Sequence, residues 1–225
     1  FLLIYESYSV ILIFRKLCTW IGSRSSFKIK YTLSETHYQH LDDCKVIMIY
    51  KKNIEPILKK QGFSTYKWIN PEIIIVAHWV RVKCTFGCSD YGLATCPPNT
   101  PSVQECDRFF KEYNNGLIIN LNTFAHRDNY PSDWSKKMTK KLLELEKQIF
   151  LLGHPKTFLL NQTCCGLCKD CAGSRINCKD KKNARPSPEA FAVDVYQTAR
   201  KVGMEIQVIE KSPSDINRYA IVLID

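Results

Sequence analysis

The stretch CCGLCKDCAGSRINC, residues 164–178, is the second cysteine loop of the chain and the most informative part of its sequence. Counted from its second residue, the spacing is C-x2-C-x2-C-x6-C. Three thiols at steps of three on a turning backbone, with a fourth after a short gap, are typical of a cubic iron–sulfur site, because each iron corner binds one soft thiolate. The spacing therefore predicts that a [4Fe-4S] cluster is bound by Cys165, Cys168, Cys171 and Cys178.

Zinc is the main alternative occupant of these thiols. Structural zinc sites usually pair two C-x2-C halves across a longer spacer, which this stretch lacks. A disulfide is disfavoured, because cysteines this close in the chain do not pair without strain. Cys164 adjoins Cys165 and makes the first ligand ambiguous; Cys165 fits the spacing, so Cys164 is treated as the spare thiol.

A first cysteine loop, residues 84–98, has the sequence CTFGCSDYGLATCPP. Its glycines and prolines predict a loop in which the metal ligands Cys84, Cys88 and Cys96 can converge. Three thiolates on a cubane leave one iron open to a substrate; the same three can hold zinc with a fourth ligand from His, Asp or water. Asp90 and Tyr91 lie inside the loop, where Tyr91 either donates a hydrogen bond to substrate or sulfide or only helps to form the turn.

Length and composition indicate a globular metal protein in a reducing compartment. The 225 residues carry 11 cysteines and a formal net charge of +10, which counts every cysteine as neutral. Most of the cysteines cluster in the two loops, as expected where thiols are kept for metal, so we expect a cytoplasmic protein. The basic charge invites acidic partners, but no recognised nucleic-acid module is present. The apolar start, residues 1–13, is too short and too polar to span a membrane.

Periodicity predicts an α/β fold, with α+β as the variant: a single sheet with helices packed on it and both cysteine loops at strand ends. Residues 1–50 are an N-terminal extension of uncertain packing, and residues 53–225 form the metal-binding domain. We expect helices at 54–61, from Thr100, from Ser132 and from Ser187 to Val202. Strands are expected at 72–84, 116–121, 156–160, 205–209 and 219–224. His78 and Cys84 would then share a strand face about 20 Å apart, with His78 in the core, and Cys106 would be a buried packing residue.

Three signatures in order resemble a known family. They are Cys84-x3-Cys88-x2-Tyr91-Gly92-x3-Cys96-Pro97-Pro98, then the second cysteine loop, then Arg185-Pro186-Ser187-x-Glu189-Ala190-x3-Asp194-Val195. The family is one of uncharacterised predicted metal-binding proteins, a domain of unknown function found mostly in anaerobic bacteria and archaea. The resemblance covers about residues 53–225, with Pro188 where the family usually has methionine. It implies a cytoplasmic, cysteine-ligated metal protein of the iron–sulfur kind, and it implies no reaction.

Two classes of function stay open at this point. The first is a redox or sulfur-handling oxidoreductase, with an open-site cluster that acts on a small molecule and a closed one that supplies electrons. The second is a non-catalytic iron–sulfur protein that docks on a redox partner through its basic face. A zinc-binding structural or interaction module is the weaker alternative. Arg185 and Glu189 are expected to pair and support the second loop. The sequence contains no nucleophile elbow, phosphate loop or dinucleotide fingerprint.

Overall fold

The computed structural model describes residues 51–125, 131–208 and 214–225, so the predicted N-terminal extension lies outside the described residues. Residues 53–225 belong to one compact unit. The elements of the described residues in chain order are α1 (51–61), β1 (Tyr66–Ile69), α2 (His78–Gly87), α3 (Val103–Phe110), β2 (Asn115–Ala125), α4 (Ser132–Leu151), β3 (Phe158–Leu160), α5 (Val195–Lys201) and β4 (Ser214–Ile224). Short 3-10 helices occupy Pro71–Ile73 and Glu189–Phe191.

The described strands form a single sheet in the order β1-β2-β4-β3. Every neighbouring pair is antiparallel, and β2 pairs with β4 along eleven residues, from Asn115 opposite Ile224 to Ala125 opposite Ser214. β4 is therefore an interior strand, and its last residues, 219–224, are buried. The predicted mixed fold with one sheet and packed helices is confirmed, in its α+β variant.

Alternating residues of the strands face two different helical layers. One face contributes Ile118, Tyr219, Ile221 and Leu223 to a core with residues of α3, α5 and the 3-10 helix Glu189–Phe191. The other face carries Leu159, whose backbone N–H bonds to Glu146 of α4. α4 buries Leu142, Leu145 and Ile149. The sheet thus lies between two helical layers, and the second cysteine loop begins just after its edge strand β3.

The prediction of a strand at residues 72–84 is wrong. It forms a 3-10 turn, a short extended stretch with one bridge between Val76 and Val193, and then helix α2. The first cysteine loop consequently follows a helix, not a strand. His78 is exposed and not in the core, and on the helix it lies about 9 Å from Cys84 along the axis.

Three further boundaries differ from expectation. Helix α3 is capped by Ser102, not Thr100, through a capping box with Glu105. The helix expected from Ser187 is broken at Ala192, which has φ 58°, and α5 starts only after Asp194, whose side chain accepts from the N–H of Gln197. Residues 205–208 are irregular; the rest of that predicted strand lies outside the described residues. Helix α4 starts at Ser132 as predicted.

Candidate metal centre

The first cysteine loop is a compact series of turns at the end of α2. Cys84 lies in the last turn of the helix, Cys88 follows it directly, and Cys96 is buried with 7% of its surface exposed. Backbone N–H groups donate from Gly92 to Pro97 O at 2.8 Å and from Cys96 to Leu93 O at 2.9 Å. Gly92 has φ 91°, a conformation that favours glycine.

Cys84, Cys88 and Cys96 lie close enough to act on one another electrostatically. The pKa of Cys96 is raised to about 12, mainly by burial and to a smaller extent by the neighbouring Cys164, Asp90, Cys88 and Cys84. Burial also raises the pKa of Cys84, with Cys88 adding to the effect and Arg81 opposing it. The three predicted ligands are therefore neighbours in the fold, although their ligation of a metal stays a prediction.

Cys164 is directed to the first cysteine loop, although it belongs to the second. The carboxyl group of Asp90 in the first loop is near enough to act on the pKa of Cys164, and the Thr163 hydroxyl lies 3.9 Å from the Cys164 sulfur. Burial, followed by the charge and hydrogen bond of Asp90, raises the pKa of Cys164 to about 12. Cys164 was predicted to be the spare thiol of the second loop; the signal in the sequence for a separate role is the cysteine pair at 164–165.

The second cysteine loop gathers around Cys165. Burial raises the pKa of Cys165, and the nearby thiols of Cys178 and Cys168 add to the rise. Backbone N–H groups of Leu167 and Arg185 bond to the Cys165 sulfur and act in the opposite direction, because they stabilise the thiolate. Cys171 is exposed. Cys168 and Cys178 are thus near enough to Cys165 to raise its pKa, Cys171 lies at the surface, and ligation of a metal by these four residues stays a prediction.

Asn99 connects the two cysteine loops. Its side-chain amide donates to Gly92 O at 3.0 Å and Leu93 O at 3.1 Å, which closes the first loop. Its side-chain oxygen accepts the backbone N–H of Arg175 in the second loop at 3.3 Å. The two loops therefore share one end of the fold, although Asn99 and Arg175 are 76 positions apart in the sequence.

The expected pair between Arg185 and Glu189 is wrong, because Arg185 pairs with Glu146 of α4. Its Nε lies 2.9 Å from both carboxylate oxygens, and its Nη1 donates to Lys182 O just beyond the second loop. Glu189 instead offers its backbone carbonyl to the thiol of Cys84 at 3.8 Å. Cys106 is fully buried in the core, as predicted.

The donor set fits a metal that prefers sulfur. As the side chains stand, no three His, Cys, Asp or Glu residues within the described ranges are close enough to hold an ion. The nine cysteines of those ranges are free thiols. Buried thiols with raised pKa values must release protons before they bind a metal. Thiolates with backbone N–H donors suit iron–sulfur clusters and zinc alike.

Residues 67–224 match the family described as predicted metal-binding protein (DUF2284). The chain belongs to this family. A search of the curated proteins and of the solved structures found no match. Membership of this predicted metal-binding family agrees with the resemblance seen in the sequence, and it leaves the kind of metal unspecified. Within the described part of the chain, no helix is long and apolar enough to cross a membrane.

Proposed function

We propose that this member of the predicted metal-binding family is an iron–sulfur protein with a redox role. The observation that carries the proposal is the environment of Cys165. Two other thiols of the C-x2-C-x2-C-x6-C pattern, those of Cys178 and Cys168, raise the pKa of Cys165, and hydrogen bonding from the backbone of Leu167 and Arg185 lowers it. Hydrogen bonds to ligand sulfurs stabilise the negative charge of a cluster and tune its reduction potential. The second cysteine loop would hold a [4Fe-4S] cluster through Cys165, Cys168, Cys171 and Cys178.

The first cysteine loop would hold a second metal site. Cys84, Cys88 and Cys96 supply thiolates from the end of α2 and the turns that follow it. The contact through Asn99 supports two sites at the same end of the fold. Two neighbouring clusters would suit electron transfer, or redox and sulfur chemistry on a small molecule.

The surroundings of the second loop favour a protein partner with an acidic surface. Four lysines close to its cysteines are exposed: Lys169, Lys179, Lys181 and Lys182. Opposite charge would speed the encounter with such a redox partner. Free thiols in all nine described cysteines support a reducing compartment, the cytoplasm.

Zinc is the second candidate, because four thiolates also suit a structural zinc site. The protein would then be an interaction module without catalysis. The absence of a second C-x2-C half in the second loop favours iron–sulfur over zinc.

Metal analysis of protein purified without oxygen tests the proposal. We expect about eight irons and as many acid-labile sulfides per chain, or about four if one cluster is bound. Cys168→Ala should remove the iron of the second site, with the folded content checked by circular dichroism. Stoichiometric zinc without sulfide would refute the redox role and leave the interaction module.

A further inference from the structure

Helix α2 carries an apolar stripe on its outer face, which we call the α2 stripe. Its members Trp79, Val82 and Phe86 are 47%, 54% and 84% exposed. Their spacing of three and then four residues places them on one side of the helix as neighbours. Single exposed apolar side chains are normal on a protein surface, but two aromatic rings and a valine in one stripe form a contiguous patch. A patch of this kind marks a site at which another molecule binds.

The helix that carries the stripe is held in place by its opposite face. Val80 is buried on that face. The guanidinium group of Arg81 donates to Thr100 Oγ1 at 3.1 Å and to Pro101 O at 2.9 Å. It also donates to Ala190 O at 3.0 Å, in the second 3-10 helix. These contacts fix the backbone of α2, so the α2 stripe is a preformed surface of the kind that docks with little backbone movement.

The charges that border the stripe are basic. Residues 73–89 contain no aspartate or glutamate. Lys83 is exposed, and it lies four residues after Trp79 and three before Phe86, at the edge of the stripe. An apolar patch with this border is complementary to a partner whose apolar patch is ringed by carboxylates.

The basic surface continues into the second cysteine loop. Residues 165–185 contain six basic and two acidic residues. Residues 99–101 join this region to α2, because Thr100 accepts from Arg81 and Asn99 accepts the N–H of Arg175 at 3.3 Å. A partner that covers the α2 stripe therefore meets a surface of one sign of charge on both sides of residues 99–101.

We propose that the α2 stripe is the docking surface for a small acidic redox protein. The apolar patch of the partner would cover the stripe, and its carboxylates would face Lys83 and the basic residues of the second loop. Phe86 lies two residues from both Cys84 and Cys88, so a partner seated on the stripe would lie against the first cysteine loop. The inference rests on the proposed function for the redox nature of the partner.

A second copy of this chain fits the stripe less well. A two-fold contact would use the same patch on both copies and would bring the basic border of one copy towards that of the other. Like charges across an interface are unfavourable. The charge around the stripe thus favours an acidic protein over self-association.

Calorimetric titration of the full chain, purified without oxygen, tests the proposal with an acidic ferredoxin and an acidic flavodoxin as probes. At least one of them should bind, and its Kd should rise at least about tenfold between about 50 mM and about 300 mM salt. Phe86→Ser should raise the Kd at least about tenfold at either salt concentration, because a buried aromatic side chain carries much of the affinity of an interface. Phe86 is exposed in the free chain, and circular dichroism checks the fold; Val82→Ser takes its place if that variant fails to fold.

Two matched variants on α4 separate the stripe from general surface effects. Phe150 is 52% exposed in the last turn of α4. It lies about 22 Å along the helix from Ser135, which accepts from Gln162 just before the second loop. Phe150→Ser should leave the Kd unchanged. Lys83→Glu should raise the Kd about tenfold at low salt and weaken its salt dependence, whereas Lys147→Glu, with the same change in net charge, should change it less than about threefold.

The inference is overturned if neither acidic protein binds, if Phe86→Ser binds as tightly as the unaltered chain, or if Phe150→Ser weakens binding equally. It is also overturned if sedimentation shows a dimer that Phe86→Ser dissociates, because a second copy then occupies the stripe. Binding to vesicles of phosphatidylcholine and phosphatidylserine through Phe86, with neither protein bound, would assign the stripe to a lipid surface instead.

Iron and acid-labile sulfide in the same preparation report separately on the proposed function. Clusters present with neither acidic protein bound would refute the docking surface and leave the redox role standing. Zinc alone, with binding that depends on Phe86, would refute the redox role and keep the α2 stripe as a docking surface for an acidic protein.

Discussion

Replacing Arg185 with methionine should leave the Glu146 carboxylate buried without its cation. The side chain of Glu146 is 9% exposed and that of Arg185 is 23% exposed. Glu146 would keep one donor, the N–H of Leu159 at 2.9 Å. Removing one partner of a buried pair costs about 3–5 kcal/mol. We expect Arg185→Met to lower the free energy of unfolding by about 3 kcal/mol, because some water reaches the pair.

Glu146→Gln should cost less, about 2 kcal/mol, because Arg185 is more exposed than Glu146 and also donates to Lys182 O and Ala184 O. A glutamine at this position can still accept the N–H of Leu159. In the double variant no charge is left unpaired, so its cost should fall at least about 1 kcal/mol below the sum of the two single costs.

Urea unfolding at pH 7, followed by far-ultraviolet circular dichroism at matched metal content, measures these differences. Arg185 also holds the backbone just beyond Cys178, so Arg185→Met should release metal from the second site to a chelator faster than the unaltered chain does. A cost below about 1 kcal/mol for Arg185→Met, or additive costs in the double variant, would refute a coupled buried pair.

Three further predictions concern glycine, a core cysteine and pH. Gly92→Ala should lower the free energy of unfolding by about 1–2 kcal/mol, because φ 91° is strained for alanine. An added Cβ meets no atom at Gly92, so the cost comes from the backbone conformation alone. Gly87→Ala, where φ is not positive and an added Cβ also meets no atom, is the control in the same urea titration. Cys106→Ser should cost about 1–3 kcal/mol by burying a hydroxyl, while metal per folded chain stays constant; metal loss would place Cys106 at a site. Without metal, Cys96 and Cys164 have pKa values raised to about 12 and stay protonated near neutrality. Metal loading therefore releases protons, so Co²⁺ affinity should weaken as the pH falls, by about tenfold per pH unit for each proton released. An affinity independent of pH between 6 and 8 would contradict thiol ligation.

The sequence predicted the two interior strands of the sheet, β2 and β4, but misassigned helix α2 as a strand. Residues 116–121 and 219–224 are largely apolar, with Asn120 as the polar exception, and they lie within the interior strands β2 and β4. Residues 78–87 alternate in a way that imitates a strand, with Val80 and Val82 two apart. The structure makes them a helix in which Val80 is buried and Val82 is 54% exposed. Arg81 donates from this helix to Pro101 O and Ala190 O, contacts that are invisible in local sequence.

The sequence indicated the residue types of the candidate site, whose ligation of a metal stays a prediction, but not the contacts between its two loops. Spacing identified both cysteine loops, because close ligands leave a dense local pattern. The approach of Cys164 to Asp90 depends on how the two loops pack together, and no local period encodes that packing. The partner of Arg185 was missed for the same reason: Glu189 is four residues away in sequence, whereas Glu146 is 39 residues away and closer in space.

The position of β4 in the sheet has a consequence for biosynthesis. β4 lies between β2 and β3, yet it follows both cysteine loops in the chain. While a ribosome makes the loops, the strands that hold their ends in place still lack their shared neighbour. A nascent chain therefore presents its thiols before it can fold around a metal, since domains generally fold as units. We therefore expect any metal insertion to follow translation of residues 214–224.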